Sequence, residues 1–140
     1  MINRRSFAAG ALALATGTRL ARAQSPIRIL VGYPAGGGVD LVARLLGEPM
    51  KAAFGQSLIV ENRPGASAMI AANAVAKSPP DGLTLLMAAS GEVAINQHLH
   101  KDKMTYDPLR ELSAVALVGI VPCVVVVAAA TPVKNAAEPR

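Results

Sequence analysis

Gly36-Gly37-Gly38 follows an apolar run closed by Pro34 and precedes Asp40, where a helical pattern begins. Glycines let backbone N–H groups approach a bound group closely, and a helix N-terminus adds unpaired donors and a positive dipole end. Anion capture, of a carboxylate above all, suits that environment. A Walker-type phosphate loop needs Lys-Ser/Thr after the glycines, and none follows. A dinucleotide fingerprint needs glycine at position 41, where Leu41 stands, although Glu61 ends the second apolar run where a ribose-binding acid belongs. The plainer alternative is a tight strand-to-helix turn with no ligand. Asp40 reads as a helix cap, since its charge would compete with a bound anion.

The other polar candidates are sparser. Arg63 can give a charge-assisted bond to a second carboxylate, or it can pair with Glu61 or stay solvated. Ser90, in Ala89-Ser90-Gly91, lacks the first glycine of a nucleophile elbow, and no histidine is placed to pair with it. It reads as an anion-binding hydroxyl on a loop. His98 and His100 lack a third ligand and read as surface histidines. Cys123 sits in an apolar run and reads as a small core residue. No catalytic constellation, no metal site and no cofactor emerge from these residues.

The elements that must position them alternate. Ile27 to Tyr33 reads as a strand, followed by helical spacing at Leu41, Val42, Leu45, Leu46 and Met50, with Pro49 expected to kink or break the helix near Gly47-Glu48. Leu58 to Val60 reads as a second strand, Ser67 as the cap of an Ala-rich helix running to Lys77, and Leu83 to Met87 as a third strand. The order is βαβαβ, which implies α/β architecture with a parallel sheet. Its ligand-binding loops lie at the carboxyl ends of the strands: Pro34–Val39, Asn62–Ala66 and Ala89–Glu92. Ala114 to Ala130 carries no charge, but Gly119, Pro122 and the valine run favour two buried strands over a membrane helix.

The chain has 140 residues, 52% apolar and 3% aromatic, with ten prolines and one cysteine. Mean hydropathy is +0.39. These values exclude a disordered acidic tail, a coiled coil, a disulfide scaffold and a thiolate zinc site. The net charge of +5 is concentrated at the start: Arg4, Arg5, Arg19 and Arg22 have no acid among them, while ten basic residues face nine acids beyond Gln24. That body is no nucleic-acid binder. The arginines flank a short apolar stretch, Phe7 to Leu14, ahead of Ala21-Arg22-Ala23, which reads as a signal peptide cleaved before Gln24. Asn3-Arg4-Arg5-Ser6-Phe7 resembles a twin-arginine export signal; an ordinary Sec signal is the alternative. The location expected is periplasmic, with residues 1–23 as the signal.

Val31-Gly32-Tyr33-Pro34-Ala35-Gly36-Gly37-Gly38-Val39-Asp40, Val60-Glu61-Asn62-Arg63-Pro64-Gly65-Ala66 and Ala76-Lys77-Ser78-Pro79-Pro80-Asp81-Gly82-Leu83-Thr84-Leu85-Leu86 occur in order, followed by Ala94-Ile95-Asn96 and Tyr106-Asp107-Pro108. With these motifs the chain resembles the extracytoplasmic receptors of tripartite tricarboxylate transporters, the Bug family. The resemblance implies a type II periplasmic-binding-protein fold whose α/β lobes close on a small carboxylated solute and deliver it to a membrane permease. It places first-lobe contacts, mostly through backbone groups and ordered water, at Tyr33, Pro34, Ala35, Gly36, Gly37, Gly38, Arg63, Gly65, Ala66 and Ser90. The family usually has Ser or Thr at Val39 and His at Val93. It commonly reads Gly-Ala-Gly-Gly-Asn-Ile-Gly where this chain reads Gly65-Ala66-Ser67-Ala68-Met69-Ile70-Ala71. Members are also substantially longer, so the resemblance implies a truncated chain, with residues 24–130 as a partial first α/β lobe and 131–140 as the start of the crossover to a second lobe that is missing. Two other readings stay open on the residues alone: an exported α/β enzyme or cofactor-binding module using the glycine turn, and a fragment without a function of its own.

Overall fold

Ile27–Val31 (β1) is apolar at every position but Arg28, and it is buried on both faces, as a central parallel strand must be. The computed structural model describes residues 25–122, 124 and 126–128. The expected signal segment, Cys123 and the tail from Thr131 lie outside the described residues. β1 pairs in parallel with Leu58–Asn62 (β2) on one side and Thr84–Met87 (β3) on the other, giving the order β2-β1-β3. Val31 is in register with both Asn62 and Met87, so the three strands end level.

Parallel neighbours require crossovers, and the two helices supply them. Gly38–Phe54 (α1) packs with Ile27, Ile29 and Val31 through Ala43, against Leu58. Met69–Ala76 (α2) builds the second cluster from Met69 and Ala72 with Leu86 and Tyr106. Alternation along β1 therefore sends its odd-numbered residues to α1, while Leu30 faces the other side. Met104 and Leu112 extend the α2 cluster, and Lys77 pairs with Glu111 to tie that segment to the end of α2.

Several expectations are corrected. α1 runs through Pro49 without a break. Pro49 is exposed, on the side where water can satisfy the carbonyl that loses its partner. The buried face of α1 is Asp40, Ala43 and Gly47, while Leu41 and Leu45 are 57% and 66% exposed. Small residues win because α1 lies close on β2: a Cβ at Gly47 would sit 3.3 Å from Leu58 Cδ2. β1 ends at Val31 rather than Tyr33, β2 runs on to Asn62, and β3 starts at Thr84. The two strands expected in 114–130 are absent among the described residues. Residues 113–122 form no helix or strand, pair with neither edge strand of the described sheet and are exposed. Among the described residues no helix is long and apolar enough to cross a membrane.

Candidate functional site

The level strand ends bring three loops to one edge of the sheet. β1 is the strand from which the connections diverge, since its partners lie on opposite sides, and crevices outside such points are where α/β sheets hold ligands.

The first loop turns sharply at Gly36, whose φ of +83° is open to glycine and costly for other residues. The Gly37 N–H donates to the Pro34 carbonyl, and Gly37 precedes α1 without a side-chain cap. The N–H groups of the first helical turn are thus left for solvent or ligand. Asp40 is not the cap expected. It sits inside the first turn, 2% exposed, and accepts the Gly36 N–H at 2.8 Å, the Arg44 guanidinium at 3.0 Å and the Asn62 amide at 2.8 Å. The Arg44 bond, then those from Gly36 and Asn62, hold its carboxyl well below the usual carboxylate range. Asn62 also donates to the Tyr33 carbonyl and accepts from Arg44. Asp40 therefore braces the glycine turn, and its charge is neutralised by Arg44 rather than turned against an anion.

The second loop follows Asn62. Arg63 bonds Glu61 at 2.7 Å, and Glu61 also accepts Arg28 at 2.6 Å; Arg28 first and Arg63 second lower the Glu61 pKa. Ala66, Ser67 and Ala68 then adopt three consecutive positive φ values, +46°, +54° and +67°. The expected Ser67 cap is replaced by Ala68 ahead of Met69, with no side-chain capping bond. Ala68 lies so close to the first loop that a Cβ at Gly32 would stand 2.4 Å from Ala68 Cβ, which only glycine tolerates.

The third loop opens into a π-helical turn, Gly91–Ile95, and then Asn96–Leu99 (α3). Ser90 is exposed at its start. Glu92 is fully buried, and one of its carboxylate oxygens accepts the Tyr33 hydroxyl at 2.8 Å. Burial first, then that bond and the Glu92 charge, push the Tyr33 phenol up to about 12.

All ten residues expected at the site lie on these three loops. Pro34, Ala35, Gly36, Gly38, Gly65, Ala66 and Ser90 are exposed, while Tyr33, Gly37 and Arg63 are half-buried. Asn62, Glu92 and Asn96 were not singled out from sequence, although they join the loops. His98 and His100 sit at the end of α3, and no group of three or more His, Cys, Asp and Glu among the described residues could hold a metal ion. A shallow groove lined by Arg44, Gly47, Glu48 and Leu58 lies along the α1–β2 flank, away from the glycine turn.

Residues 42–139 match the model of the tripartite tricarboxylate transporter family receptor. The chain belongs to this family. A UPF0065 protein of Bordetella bronchiseptica is 42% identical over 113 residues, covering 81% of this chain and 33% of that protein. Among solved structures, MatC from Rhodopseudomonas palustris with bound malate superposes with a TM-score of 0.58 at 34% identity, over 61% of this chain and 29% of its own. R. palustris Rpa4515 with adipate gives 0.57 at 37% identity, over 60% and 28%. The chain spans about a third of the length of the curated relatives it matches. A solved periplasmic transporter superposes with a TM-score of 0.60 at 36% identity, over 64% of this chain and 30% of its own, in keeping with the α/β class and parallel sheet found here.

Proposed function

We propose that this chain is the carboxylate-capturing lobe of an extracytoplasmic receptor that hands a small organic acid to a membrane permease. The carrying observation is the level ending of three parallel strands beneath a glycine turn and an uncapped helix N-terminus. Gly36 and Gly37 shape the turn, their own N–H groups held by Asp40 and the Pro34 carbonyl, so the Gly38 N–H and the other free amides of the first turn of α1 meet the carboxylate, the Ser90 hydroxyl adds a second bond, and Tyr33, Pro34 and Ala35 form the wall. Gly65 and Ala66 close the far side, with Arg63 sharing its charge between Glu61 and solvent. Both guanidiniums beside these loops, Arg44 and Arg63, already hold carboxylates, so the ligand relies on amide donors. Malate and adipate, the acids held by two relatives, define the expected class. Export follows from the amino-terminal signal, with cleavage before Gln24, and the role is binding rather than catalysis.

Ligand-observed magnetic resonance of the full chain with a panel of carboxylates and nucleotides tests this reading. Clamshell sites enclose most of a ligand between two lobes, so the lobe described here binds organic acids at about millimolar or weaker, ~−4 kcal/mol. Nucleotide binding without carboxylate binding rejects the receptor reading. For export, replacing Arg4 and Arg5 by Lys blocks translocation by the twin-arginine route; unchanged periplasmic accumulation leaves the Sec route.

A further inference from the structure

The helical turn after β3 carries two buried polar side chains that carboxylate capture leaves unexplained. Glu92 is fully buried and Asn96 is 4% exposed. Four residues apart on a helical turn, they share a face. From that face Glu92 accepts the Tyr33 hydroxyl at 2.8 Å on one oxygen and the Ala89 N–H at 2.8 Å on the other. Asn96 donates to the Ser67 carbonyl at 2.8 Å. One short element thus grips both the loop after β1 and the loop after β2. Tyr106 secures it from behind by donating to the Glu92 carbonyl at 2.6 Å.

Three features make the Tyr33 contact more than incidental. Glu92 is in none of the salt bridges among the described residues, so its buried carboxyl depends on the hydroxyl and amide it accepts. Losing either donor leaves a buried oxygen unsatisfied, which keeps the phenol in place. The turn is π-helical, a rare widening that concentrates at functional sites. A Cβ on Gly91 would stand 3.6 Å from the Tyr33 hydroxyl, so the turn and the phenol form one continuous wall.

We infer that Glu92 is the positioning residue of the crevice: it holds Tyr33, and with it the glycine turn, at a fixed separation from the β3 loop, and so selects the length of the organic acid admitted. The inference rests on the capture reading above. Anchoring one carboxylate at residues 36–38 leaves the rest of the ligand to fit between Tyr33 and Ser90. The gap between those two is what the Tyr33–Glu92 bond fixes.

The test compares Kd for malate and for the longer adipate, read from amide shifts of the full chain, in the wild type, Glu92→Gln, Tyr33→Phe and the double variant. Tyr33→Phe removes one hydroxyl from a half-buried ring and keeps the test open should Glu92→Gln not fold. The expected result is a change of about tenfold or more in the adipate-to-malate ratio, the scale of discrimination by ligand length. Both single variants move it in the same direction, and the double variant moves it no further. A merely structural role lowers stability and weakens both acids by the same factor, leaving the ratio unchanged; that result overturns the inference. A wild type that binds neither acid overturns the capture reading instead, so the two failures are distinct.

Discussion

Ser67 sits in the middle of three residues with positive φ, at φ +54° and ψ +44°, on the loop between β2 and α2. An L-residue pays roughly 1–2 kcal/mol for a left-handed conformation because its Cβ crowds the following carbonyl. Ser67→Gly removes that strain but frees the unfolded chain by roughly 0.5–1 kcal/mol. Ser67 is exposed, and its bond to Asn96 uses the backbone carbonyl, so glycine forfeits little else. The balance is a gain of about 0.5–1 kcal/mol, a rise in Tm of about 2–8 °C for a domain of this size. Thermal and urea unfolding of the full chain measure it. Ala68→Gly is the internal control: it relieves similar strain but deletes a buried methyl worth about 0.8 kcal/mol, so it comes out close to neutral. If Ser67→Gly instead destabilises by the roughly 0.5–1 kcal/mol expected of glycine in an ordinary helical turn, the left-handed loop is refuted.

Gly32→Ala drives a methyl to 2.4 Å from Ala68 Cβ and costs about 1–3 kcal/mol or more; adding Ala68→Gly restores part of the loss in urea unfolding. Asp40 has its pKa lowered on folding, so its contribution to stability is present above the unfolded value near about 4 and is lost as pH falls toward the folded value. Asp40→Asn therefore flattens the acid limb of a plot of urea midpoint against pH, while Glu61 and Glu111, also lowered, keep part of it. Val115, Leu117, Ile120, Val121, Val124 and Val126 are exposed in the segment after the α2 cluster, so the full chain self-associates with concentration in sedimentation velocity. Val115→Thr combined with Leu117→Thr reduces that association without altering the unfolding midpoint.

The alternation of elements was legible because each strand is an apolar run bounded by breakers, and parallel order follows from the interposed helices. What sequence periodicity misjudged was the orientation of α1. Leu41 and Leu45 look like core positions, yet close approach to β2 admits only Ala43 and Gly47. Pro49 misled for a related reason, because its cost depends on whether water reaches the carbonyl it deprives. The glycine turn was readable as a local motif. The polar residues joining the loops were not: Tyr33 and Glu92 are 59 positions apart, and such pairing leaves no local trace. Ser67 and Ala68 stand where the family commonly has glycine, and the backbone keeps left-handed geometry there regardless. That departure could have been read as a strained turn rather than as a helix cap.

The central claim is that the three loops at the level strand ends capture a small carboxylate. A residue-resolved amide map of the full chain, titrated with malate into the millimolar range, tests it most directly. The account predicts saturable shifts at Gly36, Gly37, Gly38, Ser90 and Gly91 that fit a single Kd, with the far end of α1 near Phe54 silent. Saturable shifts confined to the groove beside Gly47 and Leu58, or none at residues 36–38 while another site saturates, would contradict it.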